Sequence, residues 1–264
     1  MKNILTRVFV FSLIIAFLAS CANDELTPLY GTEKNQPGKV VVIGYSGLSD
    51  SIQIMVNKKP IEIEVGKEKR SSFAKKVELD YEFVYHGDEE KTFEITSKTT
   101  NQVLRTYHFD AKKTKDTLSF FSEENIWLDK VVSLKPGVLK QPSYNGFRFV
   151  FPTFNLYSKT DYNGKLDGIV RRINGQILGV VENINTTEYS DFIEFPYSSP
   201  PTIFLDIVKH GTTESYVPGK RVRVNITMSV NKSKLIILQE KEDAAGNFTG
   251  VEGTLNLADY FTYK

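Results

Sequence analysis

An oxygen-rich loop at residues 161–167 is the best candidate for metal chemistry in this sequence. Asp161, Asn163 and Asp167 carry side-chain oxygens, and Gly164 allows a sharp bend between them. Calcium takes about six to eight oxygen ligands, and the loop lacks the fifth-position ligand and the bidentate glutamate of a complete calcium loop. Asp and Asn beside a glycine are also typical of an ordinary turn. We therefore predict no cofactor, with Ca²⁺ at these three residues as the alternative.

Paired carboxylates are the other candidates for chemistry. They occur in three acidic runs: Asp88-Glu89-Glu90, Glu123-Glu124 and Glu240-Lys241-Glu242-Asp243. Glycoside hydrolysis needs two carboxylates facing each other across a cleft, whereas charged runs beside turns are usually solvated. His86, His108 and His210 lie far apart in sequence and in no metal-ligand spacing. Since nucleophile-elbow and nucleotide-binding motifs are also missing, we expect a protein that is not an enzyme, with a carbohydrate-active hydrolase as an alternative.

Aromatic residues are plentiful, with 18 Phe, 13 Tyr and one Trp. Rings that remain exposed can stack on sugars, so Trp127, Tyr144 and Tyr157, which are near one another in sequence, predict a glycan-binding face. The alternative is that these rings pack in the core, as aromatic residues of strands usually do.

The first 20 residues have the pattern of an export signal. An apolar run at residues 8–18 follows two basic residues and is too short to span a membrane. The sequence Leu18-Ala19-Ser20-Cys21 resembles the bacterial lipobox, in which the thiol is alkylated by diacylglycerol and the chain is cut between Ser20 and Cys21. Cys21 is the only cysteine, so the mature chain has no internal disulfide. An ordinary secretory signal peptide, or a short membrane anchor that stays uncut, is the alternative.

Residues 21–37 are polar and predict a flexible tether. Asn23-Asp24-Glu25 resembles the acidic export signal of Bacteroidota surface lipoproteins. It implies a lipid-anchored protein of the outer membrane, exposed at the cell surface, with the lipid bilayer as its partner through Cys21. Acidic residues are also common in tethers generally.

The net charge excludes one class of partner. Of 33 basic residues, two lie in the predicted signal, which leaves 31 against 32 acidic ones. A near-neutral chain offers no electrostatic footprint for nucleic acid, and we predict none as a partner.

Short β-branched and alternating runs follow one another from residue 38 to the end. The predicted strands are residues 40–45, 51–56, 61–65, 93–96, 103–109, 117–121, 147–151, 168–173, 177–184, 202–208, 221–230 and 235–239. Asn174-Gly175 and the segment 57–60 predict hairpin turns. No helical period is sustained, so the prediction is an all-β fold of two tandem antiparallel Ig-like β-sandwiches. We place the domains at residues 38–134 and 146–264, separated by a segment with two prolines and a glycine.

Two tripeptides at predicted strand starts could carry sugar. Asp50-Ser51-Ile52 and Asp116-Thr117-Leu118 resemble the Bacteroidota O-glycosylation site. They predict glycans on Ser51 and Thr117, although such short matches also arise by chance.

Each predicted half opens with an apolar strand (VVVIGY; FRFVF) and continues, after a polar spacer, with an Asp-containing strand (DSIQIMVN; LDGIVRRIN). This arrangement resembles the tandem β-sandwich repeats of an uncharacterised family of Bacteroidota lipoproteins. The resemblance implies fold and location and supplies no catalytic residues. The predicted function is a non-enzymatic cell-surface lipoprotein, a binding or accessory subunit of an outer-membrane uptake or assembly complex, with a barrel protein or a glycan as partner. A fimbria-like structural or adhesive component is the alternative, and the hydrolase is a second one.

Overall fold

The computed structural model describes residues 35–263. Its first ten strands are β1 (Asn35–Ser46), β2 (Ile52–Val56), β3 (Lys59–Pro60), β4 (Ile63–Val65), β5 (Glu68–Arg70), β6 (Lys76–His86), β7 (Lys91–Ser97), β8 (Val103–Phe109), β9 (Lys115–Glu123) and β10 (Ile126–Asp129). The others are β11 (Tyr144–Val150), β12 (Leu166–Arg172), β13 (Ile177–Ile184), β14 (Ile193–Pro196), β15 (Thr202–Lys209), β16 (Arg223–Thr227), β17 (Lys232–Glu242) and β18 (Phe248–Asn256), followed by a 3₁₀ turn at Leu257–Asp259. The predicted signal, Ser20, Cys21 and most of the tether lie outside the described residues. Within residues 35–263, no helix is long and apolar enough to cross a membrane.

The all-β sandwich class is confirmed, because strands dominate and pair mostly antiparallel. The predicted Asn-Gly hairpin is also confirmed: Gly175 has φ +87° between the antiparallel strands β12 and β13. Asn57 and Lys58 both have positive φ and connect β2 to β3, as a two-residue hairpin loop requires. The predicted tether is too long by three residues, since β1 already begins at Asn35.

Several strands that contain charged residues or glycines were not predicted from the sequence. The missed strands include β6, with Lys, Glu and Asp at alternate positions, and β18, with two interior glycines. In both, one face is buried while the other carries the polar residues. Charged residues and glycines have low β propensity, so these strands were not predicted. Hydrogen bonds with neighbouring strands stabilise them in the folded protein.

The chain forms two compact units. One contains the described residues up to Val41 together with Gln53–Ser71 and Leu79–Asp116; the other contains Val42–Ile52, Ser72–Glu78 and the chain from Thr117 onward. Residues 117–134, which the sequence analysis assigned to the first domain, therefore lie in the second unit. The first unit has a core that includes Ile54, Phe93 and Ile95, each 0% exposed.

The second unit has two hydrophobic cores, one on each face of a central sheet. The central sheet has the strand order β14-β11-β17-β18, and β13-β12-β15-β16 faces it across the larger core. Ile236 and Leu238 of β17 point into that core, whereas Leu235 and Ile237 point into the smaller one with residues of β9 and β10. Burial on both faces explains the continuous apolar run of β17. It also suits the parallel pairing of β11 with β17, which departs from the predicted antiparallel pattern.

A buried carboxylate ties the second unit's longest irregular loop to the central sheet. Glu240 near the end of β17 is 2% exposed. Its oxygens accept the backbone N–H groups of Asn155, Tyr157 and Ser158 at 3.1, 2.7 and 2.9 Å. The hydroxyls of Ser158 and Tyr216 donate to it at 2.5 and 2.8 Å. Five donors thus offset the cost of burying the charge.

We predict that Glu240→Gln lowers the free energy of unfolding by about 2–3 kcal/mol, because the amide removes the charge and turns N–H groups toward the loop's donors. Urea unfolding measures this change. Glu252→Gln on the neighbouring strand β18 is the control, since Glu252 is exposed and surface changes of this kind are usually within about 0.5 kcal/mol. Equal unfolding midpoints for the two variants would contradict the assigned role.

Candidate functional site

A cleft of about 800 Å³ in the second unit contains the only tryptophan of the chain. We call it the Trp127 cleft. Its lining residues combine two aromatic rings with charged and hydroxyl side chains: Trp127, Leu128, Asp129, Lys130, Ser133, Leu134, Lys135, Arg148, Thr187, Glu188 and Tyr189.

Strand β10 sets the direction of the indole. Ile126 and Leu128 are buried in the smaller core, so the alternation of the strand turns Trp127 and Asp129 to its other face. The indole Nε1 donates a hydrogen bond to Asp129 Oδ1 at 2.9 Å. This bond fixes the rotation of the ring and aligns its edge with a carboxylate.

Phe120 on β9 packs against one face of the indole. The two rings stack with centroids 5.2 Å apart and an interplanar angle of 9°. Phe120 is itself 0% exposed. A Cβ at Gly44 on β1 would overlap the Phe120 ring, so glycine is required there. Phe120 therefore covers one face of the indole, and Trp127 lines the cleft.

Other lining residues come from β11 and from the turn that precedes β14. Asn185 Oδ1 accepts the backbone N–H groups of Thr187 and Glu188 at 3.0 and 2.8 Å, which holds the turn. Arg148 Nη1 donates to the carbonyl of Ser190 at 3.2 Å. The Nε of the same arginine is buried and has no hydrogen-bond partner among the described residues. An unsatisfied buried donor is costly, and a ligand oxygen in the cleft could accept from this guanidinium.

The chemistry of the Trp127 cleft suits a polar ligand that has apolar faces. Burial raises the pKa of Tyr189, so its phenol is neutral at all physiological pH values. Asp129 and Glu188 provide acceptors, while Lys130, Lys135 and Arg148 provide donors. Sugars present C–H faces that stack on aromatic rings and hydroxyls that both donate and accept.

Of the three aromatic residues that predicted a glycan face, Trp127 lines this cleft and the other two do not. Tyr157 lines a separate cavity of about 120 Å³, and its hydroxyl accepts a hydrogen bond from Asn125 at 2.9 Å. Tyr144 is half-buried in β11 opposite Pro196. The structure therefore does not bring the three rings together, because β10, the loop after β11 and β11 itself carry them to different places.

The three residues of the predicted calcium loop have different environments. Asp161 and Asn163 are exposed, whereas Asp167 is buried in β12. Asp167 interacts with His210 Nδ1 at 2.9 Å and accepts the backbone N–H groups of Gly211 and Asn183. Burial opposes its ionisation, but these partners outweigh that effect and lower its pKa. Within residues 35–263, no group of three or more His, Cys, Asp or Glu side chains is arranged to hold a metal ion, and the calcium site stays a prediction.

The acidic runs differ in the same way. Asp88 and Glu90 are exposed beside a cavity that Asp110 and Lys112 also line. Both carboxylate oxygens of Glu240 accept hydrogen bonds from the five donors described above. A general acid must exchange a proton with a substrate, and Glu240 is positioned to hold a loop instead. The prediction of a non-enzymatic protein is compatible with this geometry and stays a prediction.

The other two histidines and the predicted glycosylation sites are ordinary in their surroundings. His86 Nδ1 lies 3.1 Å from Asn35 Oδ1, and His108 Nδ1 lies 3.8 Å from Glu90. Ser51 is half-buried just before β2, and Thr117 is exposed in β9. O-glycosylation at these hydroxyls stays a prediction.

Sequence reasoning missed Arg148, Tyr189 and Gly44. Arg148 is the one charged residue inside the apolar run FRFVF. That position could have marked it as a candidate from the sequence. Tyr189 and Gly44 carry no such signal, because their relation to Trp127 depends on strands distant in sequence.

The comparisons with known proteins give no family. No protein-family model matches the sequence, and no curated protein matches it. Among solved structures, similarity was found to the Bacillus anthracis TIE protein at 7% identity, covering 79% of this chain and 34% of that one, with a TM-score of 0.25. The CBM26-family protein CBMbc from Eubacterium rectale Amy13K, in complex with maltoheptaose, is 9% identical over 82% of this chain and 97% of that one, with a TM-score of 0.22.

A leucine-rich repeat protein from Bacteroides thetaiotaomicron is 9% identical over 84% of this chain and 27% of that one, with a TM-score of 0.21. The chain thus spans about a third of the length of the TIE protein. At such TM-scores, these similarities carry no argument about function.

We predict that Gly44→Ala displaces Phe120 and with it Trp127, at a cost of about 1–3 kcal/mol of unfolding free energy. Because Trp127 is the only tryptophan, its fluorescence emission reports the displacement directly. Gly250→Ala is the matched control, since a Cβ there meets nothing within 4 Å. An unchanged emission maximum in Gly44→Ala would show that Phe120 does not fix the indole.

Proposed function

We propose that this protein is a non-enzymatic, lipid-anchored cell-surface protein that binds a glycan in the Trp127 cleft. The observation that carries the proposal is the position of the Trp127 indole. It stacks on Phe120 and lines a cleft of about 800 Å³. A supported ring loses little conformational entropy when a ligand stacks on it.

The polar groups that line the cleft with Trp127 support a saccharide over an apolar ligand. Asp129 is held beside the indole edge by the Nε1 hydrogen bond, and Arg148 in the same lining has a buried N–H group with no partner among the described residues. The hydroxyls of a sugar ring can bind Asp129 and the guanidinium of Arg148 while its C–H face contacts the indole. An apolar ligand offers no hydroxyl groups to these side chains.

The anchor and the cleft together favour an accessory role. A protein tethered at Cys21 and projecting a glycan-binding unit would collect saccharide at the outer membrane for an uptake complex. We propose a barrel protein of that membrane as the partner that receives the glycan.

We predict that Trp127→Ala weakens binding of the recognised oligosaccharide at least tenfold, or about 1.4 kcal/mol, because it removes the stacking platform. The measurement is isothermal titration calorimetry with malto-, cello-, xylo- and laminari-hexaose. Trp127→Phe should retain part of the affinity, because a smaller ring remains.

Tyr197→Ala is the control for this experiment, because Tyr197 is another exposed aromatic residue, 39% exposed, and does not line the cleft. Equal affinity in wild type and Trp127→Ala would place the glycan elsewhere. Failure of all four oligosaccharides to bind the wild-type protein would contradict the proposal for neutral glycans.

We predict that Cys21→Ala abolishes incorporation of radioactive fatty acid and leaves the precursor uncut, because only the thiol can carry the thioether lipid. The measurement is metabolic labelling in a bacterial host, followed by electrophoresis. Ser20→Ala is the control, since a small residue at that position keeps the cleavage site and should leave labelling intact. A Cys21→Ala chain that still matures and partitions into membranes would contradict the anchoring proposal.

A further inference from the structure

Three arginines surround a single buried aspartate on the outer face of the sheet β13-β12-β15-β16. Asp206 on the interior strand β15 is 5% exposed. Arg171 approaches it from β12, and Arg223 approaches from β16, where it is the direct cross-strand partner of Asp206. Arg221, just before β16, is the third. Neighbouring residues Val170, Leu205 and Val224 point to the opposite side, into the larger core.

The arginines bind Asp206 edge-on. Arg223 Nε and Nη2 donate to its two oxygens at 2.7 and 3.2 Å. Arg221 does the same with Nε at 3.0 Å and with Nη2, and Arg171 adds Nε at 2.9 Å. Five N–H groups therefore saturate one carboxylate, which has about four lone-pair sites. Neither Arg221 nor Arg223 uses its Nη1 group for these hydrogen bonds.

This arrangement leaves positive charge unmatched. Burial opposes ionisation of Asp206, but the hydrogen bonds of Arg223 and Arg221 outweigh it and lower the pKa of Asp206 to about 2. Asp206 is thus anionic throughout the physiological range and neutralises one of the three guanidinium groups. Arg223 is further held by the face of Phe204, with its Cζ 4.5 Å from the ring centroid. Two cationic charges remain in excess.

The excess charge lies at a cavity. Arg171, Arg221 and Lys220 line a space of about 380 Å³, together with the hydroxyl residues Thr213 and Ser215. Lys220 is positioned by hydrogen bonds from Nζ to the carbonyls of Phe248 and Thr249. Asp206 is the only acidic residue of this lining. A guanidinium fork matches the paired oxygens of an oxyanion.

We propose that Arg171 and Arg221 form a binding site for an oxyanion group, namely the carboxylate, sulfate or phosphate of a small ligand. Asp206 is the positioning residue, because it orients the guanidinium groups. Its carboxylate oxygens already accept hydrogen bonds from the arginines and therefore do not face the ligand. The size of the cavity selects a compact ligand over a polymer backbone. The site is independent of the Trp127 cleft and of the function proposed for it.

The test is isothermal titration calorimetry at low ionic strength with sodium sulfate, sodium phosphate and sodium D-glucuronate, using D-glucose as the uncharged probe. We expect the anions to bind and glucose not to bind. Arg221→Gln should weaken anion binding at least tenfold, and Arg221→Lys should weaken it by about threefold, because lysine keeps the charge but loses the fork. Arg221 is 59% exposed, so both variants should fold, which circular dichroism checks.

Arg105→Gln is the matched control, since Arg105 is an exposed arginine of β8 in the other unit. Tighter binding of glucuronate than of the inorganic ions would identify the ligand as an acidic sugar, and the reverse order would identify a free inorganic ion. Both results support an oxyanion site. Equal affinities in wild type and Arg221→Gln, or no binding of any of the three anions, would overturn it.

Discussion

The burial of strand β17 on both faces is the constraint on which the second unit depends. Leu235 and Ile237 belong to one hydrophobic core, and Ile236 and Leu238 belong to the other. Each fully buried aliphatic side chain stabilises the fold by roughly 1.5–3 kcal/mol, and with a single cysteine in the chain no internal disulfide adds to this. The same strand carries Glu240 near its end, and the hydrogen bonds of this side chain hold the loop that follows β11 against the central sheet.

Two buried carboxylates of this unit are stabilised in opposite ways. Glu240 is surrounded by neutral donors from backbone, serine and tyrosine, so its charge is spent on holding a loop. Asp206 is surrounded by three cations, so the cluster as a whole remains positive. The first arrangement is complete within the protein, whereas the second leaves donors facing a cavity. This difference is why we infer a ligand at Asp206 and none at Glu240.

The Trp127 cleft follows from the smaller core. Because Ile126 and Leu128 are needed inside, the alternation of β10 places Trp127 and Asp129 outside, beside the stacked ring of Phe120. The packing that stabilises the unit thus also holds rigid the surface that we propose binds a glycan. The proposal rests on the chemistry of a supported aromatic ring in a polar cleft, without any contribution from the weak structural similarities.

The sequence by itself determined the all-β class and the positions of most strands, because alternation and β-branched runs are local signals. It also singled out Trp127, and it supports Cys21 as the predicted anchor through a local motif. The tertiary structure alone decided that Tyr144 and Tyr157 are not neighbours of Trp127, that Arg148 and Tyr189 are, and that β11 pairs in parallel with β17. It likewise assembled Arg171, Asp206 and Arg221 from three segments. These relations rest on contacts between residues far apart in the chain, and the free energy of such contacts depends on the whole packing arrangement, which no local pattern encodes.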